Sequence, residues 1–163
     1  MRMDRPDYRQ GEVNAMRWAF PDAYVVNFIA DNIRPQDEEE VRLSHAISGP
    51  VAVLSSWANS SVCRAILGDD DVPVGISGLV DNTIWLLGTE GLTATRSHRL
   101  QLIHRGREWV DYCQDKVDAP IGNYVYAKNR MSIRWLKHLG FHVSQPEPYG
   151  PSAALFCPFW RSR

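Results

Sequence analysis

The chain has 163 residues and a formal net charge of −1. This length is sufficient for one domain with a buried core, and the charge predicts no overall attraction to nucleic acid or to an anionic membrane surface. No apolar run approaches the ~20 residues of a membrane-spanning helix, and the polar N-terminus lacks the apolar centre of a signal peptide.

The cysteines and histidines do not form a metal-ligand pattern. Cys63, Cys113 and Cys157 are widely spaced, without a CxxC pair, so we expect free thiols in a reducing compartment. The five histidines show no HExxH spacing. No metal site is therefore predicted.

The N-terminal part of the sequence predicts one strand, three helices and a second strand. An acidic run precedes one of the helices, and acidic side chains are favourable in the first turn of a helix because of the helix dipole. The predicted elements are a strand over 13–18, a helix after Pro21-Asp22, a helix beginning near the acidic run 37–40, a short helix over 50–59, and a strand over 62–67.

The rest of the sequence predicts a hairpin, a long helix and further strands. Strands 72–80 and 83–87 flank the two-residue turn Asp81-Asn82, which is typical of a β-hairpin. After it we predict a helix over 93–117, a strand over 121–128, a helix over 130–139, a strand from Phe141, a turn-rich segment over 146–152, and a strand over 154–160. This order predicts an α/β fold, of the α+β mixed-sheet kind. Strands 83–87 and 121–128 should be adjacent and parallel, since a long helix connects them.

The stretch NYVYAKNRMSIRWLKHLGF, residues 123–141, is the most informative. Asn129 can cap the helix that follows it, and Met131, Trp135 and Leu139 recur at helical spacing. Gly140 can adopt the left-handed conformation just after the helix. We predict Trp135 to be a core residue rather than a platform for a ligand.

An Asn-capped amphipathic helix followed by Gly-Phe resembles the C-terminal signature of the GNAT acyltransferase fold. The element order resembles this fold along nearly the whole chain, which implies one GNAT-like domain over 1–163. A narrower resemblance is to GNAT-like phage proteins similar to the internal virion proteins of short-tailed bacteriophages. Five segments carry it: NIRPQDEEEV, VPVGISGLV, IWLLGTE, NYVYAKNRMSIRWLKHLGF and PEPYG…LFCPF.

The resemblance implies a place for the acyl-CoA pyrophosphate, in the loop between the fourth strand and the long helix. The usual pattern there is Gln/Arg-x-x-Gly-x-Gly/Ala, and this chain has GTEGLT over 88–93. Gly91 fits the middle glycine, whereas Gly88 and Thr93 depart from the pattern and Glu90 adds a negative charge that opposes phosphate. The alternative is a tight turn with Thr93 as the helix N-cap. The candidate cofactor-binding residues are Gly91, Thr93, Arg96 and Asn129.

The resemblance also implies a tyrosine acid seven residues after Asn129, where this chain has Leu136. Tyr124 and Tyr126 are candidate substitutes, with core tyrosines as the alternative interpretation. Glu90 is the candidate base. Asp81 is explained by turn chemistry.

A cluster of basic residues occupies the first half of the long helix. Its residues are Arg96, His98, Arg99, His104, Arg105 and Arg107. The cluster predicts a site for CoA phosphates or packaged DNA. The alternatives are a solvated helix face and a rim that pairs with an acidic partner, such as residues 38–40 of a neighbouring copy.

The departures from the enzyme pattern, together with the narrower resemblance, predict a non-catalytic virion protein that uses the GNAT fold as a scaffold. It would lie in the head interior or at the portal–tail axis, with no cofactor. Its partners would be other virion proteins, in multiple copies, and packaged DNA. Its location would be the virion, and the host cytoplasm during assembly. The alternative is an active acyl-CoA-dependent N-acetyltransferase that uses acetyl-CoA to modify a host protein or a small amine. A third possibility is a binding module with neither role.

Overall fold

The structure is a computed structural model in which residues 16–163 are described. It contains five helices in this range: α1 (Ala23–Asp31), α2 (Pro35–His45), α3 (Gly49–Asn59), α4 (Arg96–Gln114) and α5 (Arg130–His138). All five predicted helices are therefore found. Asp22 caps α1 and Ser48 caps α3, because each side chain accepts a hydrogen bond from a backbone N–H three residues later.

The strands form one mixed sheet. They are β1 (Arg17–Ala19), β2 (Val62–Leu67), β3 (Pro73–Val80), β4 (Thr83–Gly88), β5 (Ile121–Tyr126), β6 (His142–Val143), β7 (Glu147–Tyr149) and β8 (Ala154–Arg161). The order across the sheet is β1-β2-β3-β4-β5-β8-β6, and β7 also pairs with β8. This architecture confirms the predicted α/β mixed-sheet fold.

Two strand predictions need correction. The first strand was expected over 13–18, but β1 extends to Ala19, and residues 13–15 lie outside the described range. The segment 146–152 was expected to be a turn, but its first half is strand β7. Its backbone pairs with β8 in a register that includes Tyr149↔Ala154, so the tertiary partner overrides the turn-forming prolines.

The junction between β4 and α4 also differs from the prediction. A short 3₁₀ turn over Glu90–Thr93 follows β4, and α4 begins only at Arg96. The N-cap of α4 is Thr95, whose hydroxyl accepts from the His98 N–H at 3.0 Å, so the assignment of Thr93 as N-cap is wrong. Both threonines are competent caps, and the intervening turn decides between them.

Both ends of α5 match the prediction. Asn129 is its N-cap and accepts from the Ser132 N–H at 3.2 Å. Gly140 has φ +87°, in the left-handed region that favours glycine, and follows the last turn of the helix.

Apolar clusters lie on both faces of the sheet. On one face, α1 and α3 contribute Val26, Ile29 and Val53 to a cluster with β3 and β4. On the other face, α4 and α5 contribute Val110, Cys113 and Leu136 to a larger cluster with β5 and β8. Helix α2 contributes the partly buried Val41 to the first of these clusters, and its Asp37 side chain contacts the end of β4.

Some positions that the helical spacing placed inside are exposed. Met131 is 62% exposed and Leu100 is 48% exposed, whereas Leu102 is buried. Trp135 packs against the cluster formed with α4 and α5 and against a third cluster, which includes Leu92 and Leu102. It is only half-buried, and its indole N–H donates to the Leu102 carbonyl at 3.4 Å. The prediction that Trp135 is a core residue is therefore only partly right, because one part of its surface faces a cavity described below.

Strands β4 and β5 are adjacent and parallel, as predicted, but they pair only at one end. The ladder between them has a single registered pair, Thr83↔Gly122. Beyond it the strands separate, and the Asn123 side chain donates to the Ile84 carbonyl at 2.9 Å across the widening gap. The separation leaves a notch between the carboxyl ends of two central strands.

Candidate functional site

The notch between β4 and β5 holds two cavities. The smaller, of about 440 Å³, extends toward the starts of α4 and α5. The larger, of about 750 Å³, extends toward the second half of α2 and toward β7. Both cavities are lined by the same five residues where they meet: Arg34, Glu40, Leu86, Ser132 and Trp135. The notch is thus accessible from two sides, which is the geometry that two reactants approaching each other require.

Glu40 is the acidic group at this junction. Its Oε1 accepts hydrogen bonds from the Tyr126 backbone N–H at 3.2 Å and from the Asn129 side-chain Nδ2 at 3.1 Å. Asn129 therefore has two roles, since its oxygen caps α5 while its nitrogen orients the carboxylate. Among residues 16–163, no cationic side chain lies within ion-pair distance of Glu40.

Burial raises the pKa of Glu40 to about 7, from an ordinary value of 4.5. The hydrogen bond from Asn129 acts in the opposite direction, and the neighbouring Asp37 carboxylate adds to the rise. A carboxyl group with a pKa near 7 can accept a proton and release it again near neutral pH, as a general base must.

This raised pKa predicts a pH-dependent cost in stability. The folded state holds the Glu40 proton more tightly than the unfolded state, so the group's contribution is fully present below about pH 4.5 and is lost as pH rises through about 7. A Glu40→Gln variant keeps the amide oxygen as an acceptor and carries no charge. When the pH is raised from 4.5 to 8, we expect the free energy of unfolding of this variant to rise by on the order of 2 kcal/mol relative to that of wild type, after allowance for the partial exposure of Glu40.

Urea unfolding of both proteins at the two pH values measures this difference. A stability gap that is the same at both pH values would show that Glu40 titrates normally in the folded state.

A buried ion pair fixes the end of β4 beside Glu40. Asp37 Oδ2 accepts from the Arg34 Nε–H at 2.8 Å and from the Gly88 backbone N–H at 2.8 Å. Both side chains are less than a tenth exposed. Burial raises the pKa of Asp37, and the Arg34 guanidinium acts in the opposite direction. The pair joins α2 to β4 and holds one wall of the notch.

The backbone of β4 presents an unpaired edge to the notch. Alternate residues of an edge strand direct their N–H and C=O groups to the same side. On this side the Ile84 carbonyl accepts from Asn123, and the Gly88 N–H donates to Asp37. Leu86 lies between them, lines both cavities and has no ladder partner on β5. Its N–H is a donor placed beside the junction.

The smaller cavity has a cationic rim. Lys128 and Arg130 line it, and neither forms an ion pair with another of the described residues. Thr93 lines the same cavity just before α4, and Asn129 lines it at the N-cap of α5. The start of a helix favours anions, because its first N–H groups lack intrahelical partners.

The two candidate tyrosines project from the same face of β5, the face that is turned toward α2. Tyr126 lines the smaller cavity, while Tyr124 lines the larger one. Tyr124 stacks on Tyr149 of β7, with ring centroids 3.8 Å apart and planes at 10°. Both candidates are therefore beside the notch, each on a different side of the Glu40 junction.

The two candidates in the loop after β4, Glu90 and Gly91, lie in different environments. Glu90 is exposed and lines neither cavity, so its charge lies away from the cationic rim. The Gly91 N–H donates to the Thr89 hydroxyl at 3.2 Å, and a side chain at Gly91 would contact Val74 at 2.8 Å. The absence of a side chain at Gly91 thus serves packing against β3.

The basic cluster of α4 does not converge on one point. Arg96 is exposed and lines neither cavity, and the Arg99 guanidinium donates to the Thr93 carbonyl at 3.0 Å. The His98 Nδ1–H donates to the Gly91 carbonyl at 2.8 Å, and the ring is buried. The Arg107 Nε–H donates to the His138 carbonyl at 3.1 Å. At least three members of this cluster thus have local roles in joining α4 to its neighbours.

The remaining predictions concern thiols, metals and membranes. Cys63, Cys113 and Cys157 are free, and burial raises the pKa of each thiol. Within residues 16–163 no group of three His, Cys, Asp or Glu side chains is arranged to hold a metal ion. In that same range no helix is both long and apolar enough to cross a membrane.

Glu40 is the residue that sequence reasoning missed as a site. It is the last member of the acidic run 37–40, which we interpreted only as acidic residues favoured by the helix dipole in the first turn. In the sequence, only its position beside the apolar Val41 distinguishes it from Glu38 and Glu39. Its contact with Tyr126 joins residues 86 positions apart, which no local pattern reveals.

Several solved structures with the same fold are named as acetyltransferases. A GCN5-related N-acetyltransferase from Kribbella flavida superposes with a TM-score of 0.65 at 13% identity, covering 91% of this chain and 98% of that one. Spermidine N-acetyltransferase from Vibrio cholerae, in complex with CoA and spermine, superposes with a TM-score of 0.63 at 8% identity. This match covers 90% of this chain and 94% of that one. The Salmonella typhimurium protein yncA, solved with its cofactor acetyl-CoA, superposes with a TM-score of 0.58 at 16% identity. This match covers 90% of this chain and 92% of that one. No protein-family model matches the sequence, and a comparison with curated proteins also finds no match.

These comparisons establish the GNAT acetyltransferase fold and correct the functional prediction. The prediction of a non-catalytic virion protein is wrong, because the structural neighbours are N-acetyltransferases and nothing among them links the chain to phage virion proteins. The expectation of no cofactor is also not supported, since two of these neighbours bind CoA or acetyl-CoA. The expected virion partners and location depended on the same resemblance and stay predictions.

Proposed function

We propose that the chain is an acyl-CoA-dependent N-acyltransferase in which Glu40 is the general base. The observation that carries the proposal is the position of Glu40. It lies where two cavities meet between the separated strands β4 and β5, and its pKa is raised to about 7. A proton acceptor is needed at the point where an amine approaching from one side meets an acyl group approaching from the other.

The residues of the smaller cavity fit an acyl-CoA donor. Phosphate groups need cations and free backbone N–H groups, and this cavity offers Lys128, Arg130 and the start of α5. Its apolar lining, including Leu92, Leu102 and Met131, suits the pantetheine chain. The larger cavity, on the other side of Glu40, is then the place for the acceptor amine.

Bound acyl-CoA supplies an acyl group on sulfur; the acceptor nitrogen forms a bond to the acyl carbon while the carbon–sulfur bond breaks. In this proposal Glu40 takes the proton that the nitrogen loses, and Asn129 holds the carboxylate in place. The Leu86 N–H donates to the acyl oxygen as negative charge develops on it. Leu136 cannot supply a proton to the leaving sulfur, so that proton comes from a hydroxyl that lines the notch, on Tyr126 or Ser132, or from water.

Calorimetric titration with acetyl-CoA tests the donor site. A Lys128→Gln/Arg130→Gln double variant should bind about ten- to a hundredfold more weakly than wild type, since each charge-assisted contact at an exposed rim contributes only part of its buried value. The matched control is Arg134→Gln. Arg134 is an exposed cation of α5, the helix that begins at Arg130, and it lines neither cavity. Equal affinity of the double variant and wild type would exclude this rim as the phosphate site.

A further inference from the structure

We propose that the acceptor is a small primary amine joined to an aromatic ring by a linker of two or three carbons. This inference rests on the proposed acyltransferase function and specifies its second substrate. Three features of the larger cavity carry it: the number of available carboxylates, an aromatic wall, and the spacing between that wall and Glu40.

The larger cavity offers one carboxylate for one ammonium group. Asp37 and Glu40 are the acidic residues among those that line it. Asp37 is already occupied by Arg34 and by the Gly88 N–H, so Glu40 alone remains. A polyamine carries several ammonium groups and needs several carboxylates to compensate them. Its additional charges would find no partner among these lining residues.

The wall beyond Glu40 is aromatic. Tyr149 stacks on Tyr124 with ring centroids 3.8 Å apart. It forms T-shaped contacts with Phe156 and His45, with ring centroids 5.5 Å and 6.3 Å away. All four of these residues line the larger cavity. Tyr124 and Tyr149 are half-buried, so part of each ring stays accessible to a ligand. Aromatic rings favour offset or edge-on contact with a further ring, and this preference selects an aromatic ligand over an alkyl one.

Glu40 and the aromatic wall lie beside neighbouring positions of β5. The Glu40 carboxylate is fixed to the Tyr126 backbone N–H at 3.2 Å. Tyr124 precedes Tyr126 by two residues on the same side of β5, which is about 7 Å along a strand. From this proximity along the backbone we infer that a linker of two or three carbons joins an amine at Glu40 to a ring held against Tyr124.

The wall is held in place before any ligand binds. Gly150 has φ +75°, and a side chain there would clash with the Ser44 carbonyl oxygen. The hydroxyl of Ser152 donates to the Leu43 carbonyl at 2.8 Å. The turn between β7 and β8 is thus docked on the C-terminal part of α2, which positions Tyr149 relative to Glu40. A preorganised wall reduces the entropic cost of binding a rigid ring.

The test compares acetyl transfer from acetyl-CoA to 2-phenylethylamine, n-hexylamine and spermidine. We expect kcat/KM for phenylethylamine to exceed that for hexylamine by about three- to tenfold, the range that ring contacts supply, and spermidine to be the poorest acceptor. Hexylamine or spermidine equal to or better than phenylethylamine would overturn the inference.

Variants locate the preference. The Tyr149→Leu and Tyr124→Leu variants should bring the ratio of kcat/KM for phenylethylamine to kcat/KM for hexylamine close to one. The Tyr149→Phe variant keeps the ring, should retain the wild-type ratio, and serves as the control. Tyr112→Leu removes an aromatic ring on α4 that stacks on Trp109 and does not line this cavity, so it should leave the ratio unchanged. A ratio unchanged in both Leu variants would contradict the assignment of the wall.

Failure of the proposed function can be distinguished from failure of this inference. If no amine is acetylated, saturation-transfer NMR with the same three amines and CoA measures binding without chemistry. Binding of phenylethylamine that is weakened in Tyr149→Leu and retained in Tyr149→Phe would support the preference of the larger cavity for an aromatic amine while the acyltransfer proposal fails. No binding of phenylethylamine would overturn the inference itself.

Discussion

A Glu40→Gln variant should lower kcat for acetyl transfer by about 10²- to 10⁴-fold, the usual effect of removing a general base. Glutamine keeps the acceptor oxygen for the Tyr126 and Asn129 donors, so the notch keeps its shape. The affinity for acetyl-CoA should therefore change little, and the loss should appear in the chemical step. Release of the CoA thiol, followed with a thiol reagent, measures it.

The matched control for this variant is Glu38→Gln. Glu38 belongs to the same acidic run, is exposed and lines neither cavity. It should retain wild-type turnover. An equal loss in both variants would mean that the charge of the run matters rather than the position of Glu40, and would contradict the base assignment.

An Asp37→Ala variant should lose about 3–5 kcal/mol of stability, which is the cost of leaving one member of a buried ion pair without its partner. The Arg34 guanidinium and the Gly88 N–H both lose their acceptor. Chemical denaturation at pH 7 measures the loss. The control is Glu39→Ala, an exposed change in the same helix, which should stay within about 0.5 kcal/mol of wild type.

An Asp37→Asn variant separates charge from hydrogen bonding. It keeps an oxygen that can accept from the Arg34 Nε–H or the Gly88 N–H, so its loss should be smaller than that of the alanine variant. Equal stability of Asp37→Ala and wild type would show that the pair does not hold β4 against α2.

Much of the fold could be predicted from the sequence where local chemistry decides the structure. Helix α5 is one example, because Asn129, the helical spacing of Trp135 and Leu139, and Gly140 all indicate the same element. The parallel pairing of β4 and β5 is another, since a long connecting helix leaves few alternatives.

The candidate site could be predicted only in part, because its function depends on tertiary contacts. Asn129 was recognised as a cap, but its second bond, to Glu40, joins residues 89 positions apart. Tyr149 was interpreted as part of a turn, and its role as an aromatic wall depends on pairing with β8 and on the docking of Gly150 against Ser44. Glu40 was missed because a carboxylate in an acidic run is normally solvated, and only the fold brings it beside Tyr126.

The loop between β4 and α4 contributes only part of the smaller cavity. The pattern of GTEGLT over 88–93 emphasised Gly91 and Glu90, yet the cavity is lined by Thr93, Lys128 and Arg130. Two of these follow β5, on the opposite side of the notch from the loop. A departure from a loop pattern therefore does not by itself exclude binding, because cations from another element can supply the charge.

Amide chemical-shift mapping of ¹⁵N-labelled protein titrated with acetyl-CoA tests the central claim most directly, since it reports both binding and its location. We expect saturable shifts at Leu86, Thr93, Asn129 and Ser132, which line the notch, and unchanged amides in β2, which lies two strands away from β4. Shifts confined to residues away from the notch, or none at millimolar acetyl-CoA, would contradict the claim that the notch between β4 and β5 binds an acyl-CoA donor.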